Sequence, residues 1–98
     1  MHIKKYRNIN NRFKSILIAT VEGYINTCSP VSSKYVQGNL PITLSTATIR
    51  NVMSILEKDG FLRQVHKSGG RIPTDLGYRF YIDSINFNKL FDNDTIDV

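Results

Sequence analysis

The segment from Ser45 to Gly60 constrains the fold more than any other part of the chain, because a helix start, a helix end and an apolar stripe coincide in it. Serine is a favoured N-cap residue, and glycine is common just beyond a helix C-terminus. With about 100° of rotation per residue, four apolar side chains share one face of this helix: Ile49, Val52, Met53 and Leu56. The opposite face has no carboxylate and carries Ala47, Arg50, Asn51, Ser54 and Lys58. The pattern predicts a helix with one buried face and one polar, exposed face.

Two further helices are predicted before this segment. Apolar residues at helical spacing predict a first helix over residues 10–26, and they are Phe13, Ile16, Leu17, Val21 and Tyr24. Pro30 separates it from a short second helix, because proline cannot continue the helical hydrogen-bond pattern. Ser32 and the serine after it can cap that second helix. Gly38 and Asn39 predict its end in the left-handed conformation.

A hairpin and a last helix are predicted after it. Residues 61–65 predict a strand, residues 66–70 a glycine-containing turn, and residues 71–73 a return strand. Thr74 is placed to cap a fourth helix, where Asp75 would favour the positive end of the helix dipole. The order is helix, short helix, helix, hairpin, helix. It predicts a mainly α fold with a small β-hairpin, a winged helix-turn-helix, whose third helix would enter the major groove of DNA.

Charge divides the chain into three regions: a basic N-terminal arm at residues 1–9, the winged helix-turn-helix domain at residues 10–91, and an acidic, disordered tail at residues 92–98. The net charge is +5, but residues 1–91 hold all 13 basic residues and only five of the eight acids. Such a balance favours polyanions, with nucleic acid first and an anionic membrane surface second. A solvated basic arm without a ligand is the alternative.

Arg50 and Asn51 are the expected base-reading residues. Arginine can donate two hydrogen bonds to guanine, and asparagine can pair with adenine in the same two-point way. Glycines in the hairpin turn would let its backbone approach a phosphate, and arginine is often inserted into narrow minor grooves. The other expected DNA contacts are Ser45, Thr46, Thr48, Ser54, His66, Lys67 and Arg71. The alternatives are a solvated helix face and a turn that only reverses the chain.

The fourth helix is predicted to be apolar on two sides. One side, expected to pack on the core, carries Tyr78, Tyr81, Ile82 and Ile85. The opposite side, expected to contact a dimer mate or a second domain, carries Leu76, Phe80, Phe87 and Phe91. A helix with two apolar sides requires two partners. The alternative is that the phenylalanines fold back onto the core.

Enzymatic, metal and membrane functions are not expected. Cys28 is the only cysteine and has no histidine near it in the sequence, and the chain has only two histidines. No nucleotide-binding glycine motif or HExxH pattern occurs, and the ligands for a metal are too few. No apolar run approaches the length of a membrane span, and no secretory signal is recognisable. We therefore expect a cytoplasmic protein without cofactors.

Two long blocks of the sequence carry a family resemblance. The first consists of residues 45–53, continued by residues 56–57 and 60–62, and the second of residues 66–84. Over about residues 10–87 the chain resembles the N-terminal domain of the HrcA heat-inducible transcription repressors. The resemblance implies a winged helix-turn-helix that binds an inverted-repeat operator upstream of chaperone genes, with the GroE chaperonin supporting repressor activity. The family's Pro-Val-x-Ser-Lys element corresponds to the segment containing Ser33 and Lys34, which we also expect at the DNA.

The chain departs from the family pattern in three places. Gly38 to Pro41 replaces what is normally more of the second helix, and Lys67 and Gly69 stand where threonine and alanine are usual. Family members also continue into a long effector and dimerisation region, so we expect a fragment, a truncated gene product or a stand-alone domain.

Three hypotheses follow from this sequence. The first is a DNA-binding repressor of heat-shock genes, with two copies, a homodimer, on an inverted repeat. The second is a protein-interaction element that joins a full-length repressor through the apolar side of the last helix. The third is adhesion to RNA or anionic lipid, which depends on charge alone.

Overall fold

A computed structural model describes residues 10–67 and 69–97, and the side chains as far as residue 86. The basic arm at residues 1–9 lies outside the described residues. The side chains of Phe87, Phe91 and the acidic tail lie outside them as well. The elements, in chain order, are α1 (Asn11–Thr27), α2 (Ser33–Gly38), α3 (Thr46–Lys58), β1 (Leu62–Gln64), β2 (Arg71–Pro73) and α4 (Asp75–Asp97). This confirms the predicted mainly α fold with a β-hairpin.

Each helix begins just after a residue whose side chain caps its first turn. Asn10, Ser32 and Ser45 each accept a hydrogen bond from the backbone N–H three residues later, at 2.9–3.1 Å. These bonds satisfy N–H groups that have no partner within the helix. Thr74 Oγ1 similarly accepts from the N–H of Gly77 at 3.2 Å. Helix starts are therefore determined locally in this chain.

One predicted helix end is wrong. Gly38 continues α2, and its backbone is not left-handed; Asn39 follows at φ −118°. The side-chain amide of Asn39 donates to the Tyr35 carbonyl at 2.9 Å, which satisfies a helix-terminal acceptor without a left-handed residue. The left-handed conformation occurs instead at Cys28, φ 55°, at the end of α1. Gly60, at φ 91°, ends α3 as expected.

The connector between α2 and α3 is held in place despite its departure from the family pattern. Gln37 Nε2 donates to the Leu44 carbonyl at 2.9 Å. Leu40 and Leu44 are partly buried against the core. One hydrogen bond and two apolar anchors thus fix the path of this connector.

The core lies between α1, α3, the hairpin and the start of α4. Ile16, Leu17 and Val21 of α1 are fully buried, as is Val36 of α2. The predicted stripe of α3 is confirmed, since Ile49, Val52, Met53 and Leu56 are all buried. One side of α3 is therefore buried in the core, and its polar side, together with the 43% exposed Ile55, remains accessible.

The hairpin gains a third chain segment that the sequence pattern does not reveal. β1 and β2 pair antiparallel, with Arg63 opposite Ile72. On the other side of β2, Val31 and Arg71 exchange two backbone hydrogen bonds, of 2.8 and 2.9 Å. Because Val31 lies only two residues before α2, this pairing fixes the hairpin against the helix-turn-helix.

The predicted orientation of α4 is wrong for Phe80 and Ile82. Phe80, expected on the outer side, is 4% exposed and packs edge-to-face on Phe61 with ring centroids 6.1 Å apart. Ile82, expected inside, is 51% exposed. The reason is Gly77, where an added Cβ would overlap the Phe61 carbonyl oxygen. A helix without a side chain at this point approaches the hairpin closely, so the side centred on Gly77 faces inward.

Three other residues of α4 also pack against the core. Leu76, expected on the outer side, is partly buried against the core. Tyr78 and Tyr81 are partly buried against the core as well, as the sequence predicts. The helix runs to Asp97, beyond the expected domain end at residue 91.

Candidate nucleic-acid interface

The exposed side of α3 is polar and free of carboxylates, as the sequence predicts. Ala47, Arg50, Asn51, Ser54 and Lys58 are all exposed. Glu57, the acid within the helix, lies to one side of this surface and is paired with a cation. The arrangement offers cationic, amide and hydroxyl groups to a ligand rich in acceptors.

The start of α3 is an ordered set of hydroxyl groups. The Ser45 hydroxyl accepts from the Thr48 N–H at 3.1 Å and donates to Thr48 Oγ1 at 3.0 Å. Thr46 and Thr48 are half-buried beside it. The first turn of a helix favours anions because of its unpaired N–H groups and its dipole, so this end of α3 suits a phosphate.

A cleft of about 470 Å³ separates α3 from the hairpin. It brings together five residues that the sequence predicts at the DNA: Ser33, Arg50, Ser54, Lys67 and Arg71. Gly69 and Gly70 line it as well, and they are the turn glycines that the sequence predicts near a phosphate. Four further lining residues were not assigned to the site by the sequence analysis: Val31, Ser32, Met53 and Gln64. Such a cleft forms because the Val31–Arg71 pairing places the hairpin beside α3, and no local pattern indicates that pairing.

Arg71 has a structural contact in addition to its place in the cleft. Its Nε donates to Glu57 Oε1 at 2.8 Å, and the arginine side chain is only 13% exposed. This ion pair joins β2 to the last turn of α3. A role for Arg71 at the DNA stays a prediction, but its charge is already balanced by Glu57.

Two hydrogen bonds stabilise the hairpin turn near Lys67. Gln64 Nε2 donates to the Lys67 carbonyl at 2.8 Å, and the Gly69 N–H donates to the His66 carbonyl at 3.1 Å. His66 and Lys67 are both exposed, as is Lys34 on α2. His66 and Lys34 lie outside the lining of the cleft. The interface therefore has a surface formed by α3 and a cleft between α3 and the hairpin.

Other kinds of site are not evident in the described part of the chain. Among those residues no group of three or more His, Cys, Asp or Glu side chains lies close enough to hold a metal ion. Within the same ranges, no helix combines the length and the apolar character needed to cross a membrane.

Relatives of the chain are numerous, although no family model matches it. The heat-inducible transcription repressor HrcA of Chlorobium phaeovibrioides is 46% identical over 88 residues, which is 90% of this chain and 25% of that protein. The HrcA of Gloeobacter violaceus is 53% identical over 77 residues, or 79% of this chain and 21% of that protein. The chain belongs to the HrcA family. It spans about a quarter of the length of the HrcA proteins that it matches.

The fold of this HrcA-family chain is also found in a solved structure, described as that of a hypothetical protein at 2.2 Å resolution. The two superimpose with a TM-score of 0.76 at 45% identity, over 80% of this chain and 25% of the other. The resemblance to the N-terminal domain of HrcA is thereby confirmed in sequence, and a winged-helix fold is supported in structure.

Proposed function

We propose that this chain is a sequence-specific DNA-binding module of a repressor of heat-shock genes, and not an enzyme. The observation that carries the proposal is the exposed side of α3, which combines Arg50, Asn51 and Ser54 without a carboxylate and lies next to a basic hairpin. The major groove admits a helix and presents acceptors and donors that such side chains recognise. The names of the relatives agree with this function.

The proposed operator is an inverted repeat, read by two copies of the domain. The symmetry of an operator mirrors the symmetry of the protein that binds it. Asn51 is exposed on α3, and we propose it as a base reader. Such a repressor would act on genes in the cytoplasm. A chaperonin partner is suggested by the family resemblance alone.

The protein-interaction hypothesis is less well supported than DNA binding. It depended on an apolar outer side of α4, and the central member of that side, Phe80, is 4% exposed and packs on Phe61. A residue buried within its own domain is not available to a partner. DNA binding is therefore the single function that we propose.

The test compares binding to an inverted-repeat operator from a relative's chaperone gene with binding to a scrambled duplex. We expect Asn51→Ala to weaken operator binding by about tenfold, since a two-point base contact contributes about 1–3 kcal/mol, and to leave scrambled DNA unaffected. If about six basic groups neutralise phosphates, log K should fall against log salt with a slope near −5. Equal affinity of the unaltered chain for operator and scrambled DNA would contradict sequence-specific recognition.

A further inference from the structure

The cleft between α3 and the hairpin is strongly cationic. Three basic side chains line it, Arg50 from α3 and Lys67 and Arg71 from the hairpin. Among the described residues that line it there is no carboxylate. Basic side chains that lie close together repel one another, and this repulsion costs free energy unless an anion lies between them.

The charges of the three side chains are not equally available. Arg71 donates to Glu57 at 2.8 Å, so its charge is balanced within the fold. Within the described ranges, the structure shows no acidic partner for Arg50 or Lys67. Both side chains are exposed. Two available cations therefore face one cleft from two different elements.

Hydroxyl groups complete the cleft. Ser33, at the start of α2, and Ser54, one turn after Arg50 on α3, both line it. Cations together with hydroxyl donors are the usual partners of phosphate oxygens in protein–DNA contacts. Base edges, in contrast, are read by side chains near the N-terminal end of the recognition helix that extend into the major groove.

Arg50 and Asn51 differ in their position around α3. The two residues are about 100° apart on the helix, and Arg50 lines the cleft whereas Asn51 does not. The sequence alone predicts base reading for both. Their different positions in the structure indicate different roles for the two side chains.

We propose that the cleft binds one phosphate group of the DNA backbone, held from the α3 side by Arg50 and from the hairpin side by Lys67, with Ser33 and Ser54 as hydroxyl donors. This inference rests on the proposed function and assigns different tasks within it. Arg50 is a backbone contact that sets the position of α3 on the duplex, and Asn51 reads the sequence. Arg71 holds the hairpin in position through Glu57.

The test measures the affinities of Arg50→Gln and Lys67→Gln for operator and for scrambled DNA across a salt series. We expect each substitution to weaken both DNAs by a similar factor, about five- to tenfold, and to reduce the salt slope by about one. The double variant should lose less than the product of the single losses, because the two side chains share one phosphate. Arg79→Gln on α4 removes the same charge outside the cleft and away from the exposed side of α3, and it serves as the control, with a smaller expected loss.

The outcomes distinguish this inference from the proposed function. If Arg50→Gln weakens operator binding and leaves scrambled DNA unchanged, Arg50 reads a base and the inference is wrong, while sequence-specific binding stands. If Arg79→Gln loses as much affinity as the cleft variants, the contact is diffuse and the inference is also wrong. A third measurement adds inorganic phosphate alone. If phosphate binds the cleft while neither DNA binds, a free anion is its ligand, and both the inference and the proposed function fail.

Discussion

At the scale of single residues, Gly70 shows how closely two distant segments approach each other. An added Cβ there would overlap the backbone N, C and O of Val31, the residue that pairs with β2. Backbone atoms cannot move aside as a flexible side chain can. The absence of a side chain at Gly70 therefore permits the contact that places the hairpin beside α3.

We predict that Gly70→Ala lowers the free energy of unfolding by about 1–3 kcal/mol, the usual cost of forcing extra atoms into a packed site. Gly38→Ala is the matched control, because nothing lies within 4 Å of its added Cβ and its φ is not positive. It should raise stability by about 0.4–1 kcal/mol, since alanine restricts the unfolded chain. Urea unfolding of both variants measures the difference, and equal stabilities would show that the hairpin does not depend on this close approach.

At the scale of elements, the orientation of α4 decides between a core role and a partner role for Phe80. The side chain packs on Phe61 of the hairpin, and Gly77 lets the helix approach at that point. On the outward side, Ile82 is about half-exposed. The two residues are close in sequence but differ completely in environment.

We predict that Phe80→Ala lowers the free energy of unfolding by about 3–5 kcal/mol, as expected for a buried phenylalanine. Ile82→Ala should change it by less than about 0.5 kcal/mol, as surface substitutions usually do. Denaturant unfolding together with light scattering tests both expectations. If Phe80→Ala kept its stability and instead changed the mass of the particle, Phe80 would be an interface residue after all.

At the scale of the whole molecule, tyrosines join α1 to α4 and so connect the start of the domain to its end. Tyr81 Oη donates to Glu22 Oε2 at 3.3 Å, and Tyr78 packs edge-to-face on Tyr24 with centroids 6.5 Å apart. Burial raises the pKa of Tyr81, and the charge of Glu22 and its hydrogen bond raise it further. Burial also raises the pKa of Tyr78, with Tyr24 and Cys28 adding to the effect.

We predict that alkaline pH destabilises the domain through these phenols. A raised pKa means that the folded state holds its proton more tightly than the unfolded state, so the contribution to stability is complete below the ordinary value of 10.0 and is lost as the pH rises through the folded pKa. The free energy of unfolding should therefore fall above about pH 10, and it should fall less steeply in Tyr81→Phe. Unfolding curves at several pH values, with tyrosinate absorbance, measure this. An equal slope in the variant would show that Tyr81 does not contribute.

Much of the fold is predictable because its causes are local. The cap at Ser45, the apolar stripe around Ile49 and the end at Gly60 each depend on neighbours within a few residues along the chain. The same holds for the polar outer side of α3, since helical periodicity places Arg50 and Asn51 opposite the stripe. Family membership, too, follows from the residues themselves.

The element order, the buried side of α3 and the chemistry of its exposed side therefore follow from the amino-acid sequence alone. The meeting of distant segments follows only from the three-dimensional packing: the pairing of Val31 with Arg71, the inward side of α4, and the ion pair between Glu57 and Arg71. Each of these depends on contacts between residues far apart in the chain, which periodicity and capping rules do not contain. The cleft between α3 and the hairpin has the same origin, because it exists only once the hairpin has been fixed beside α3.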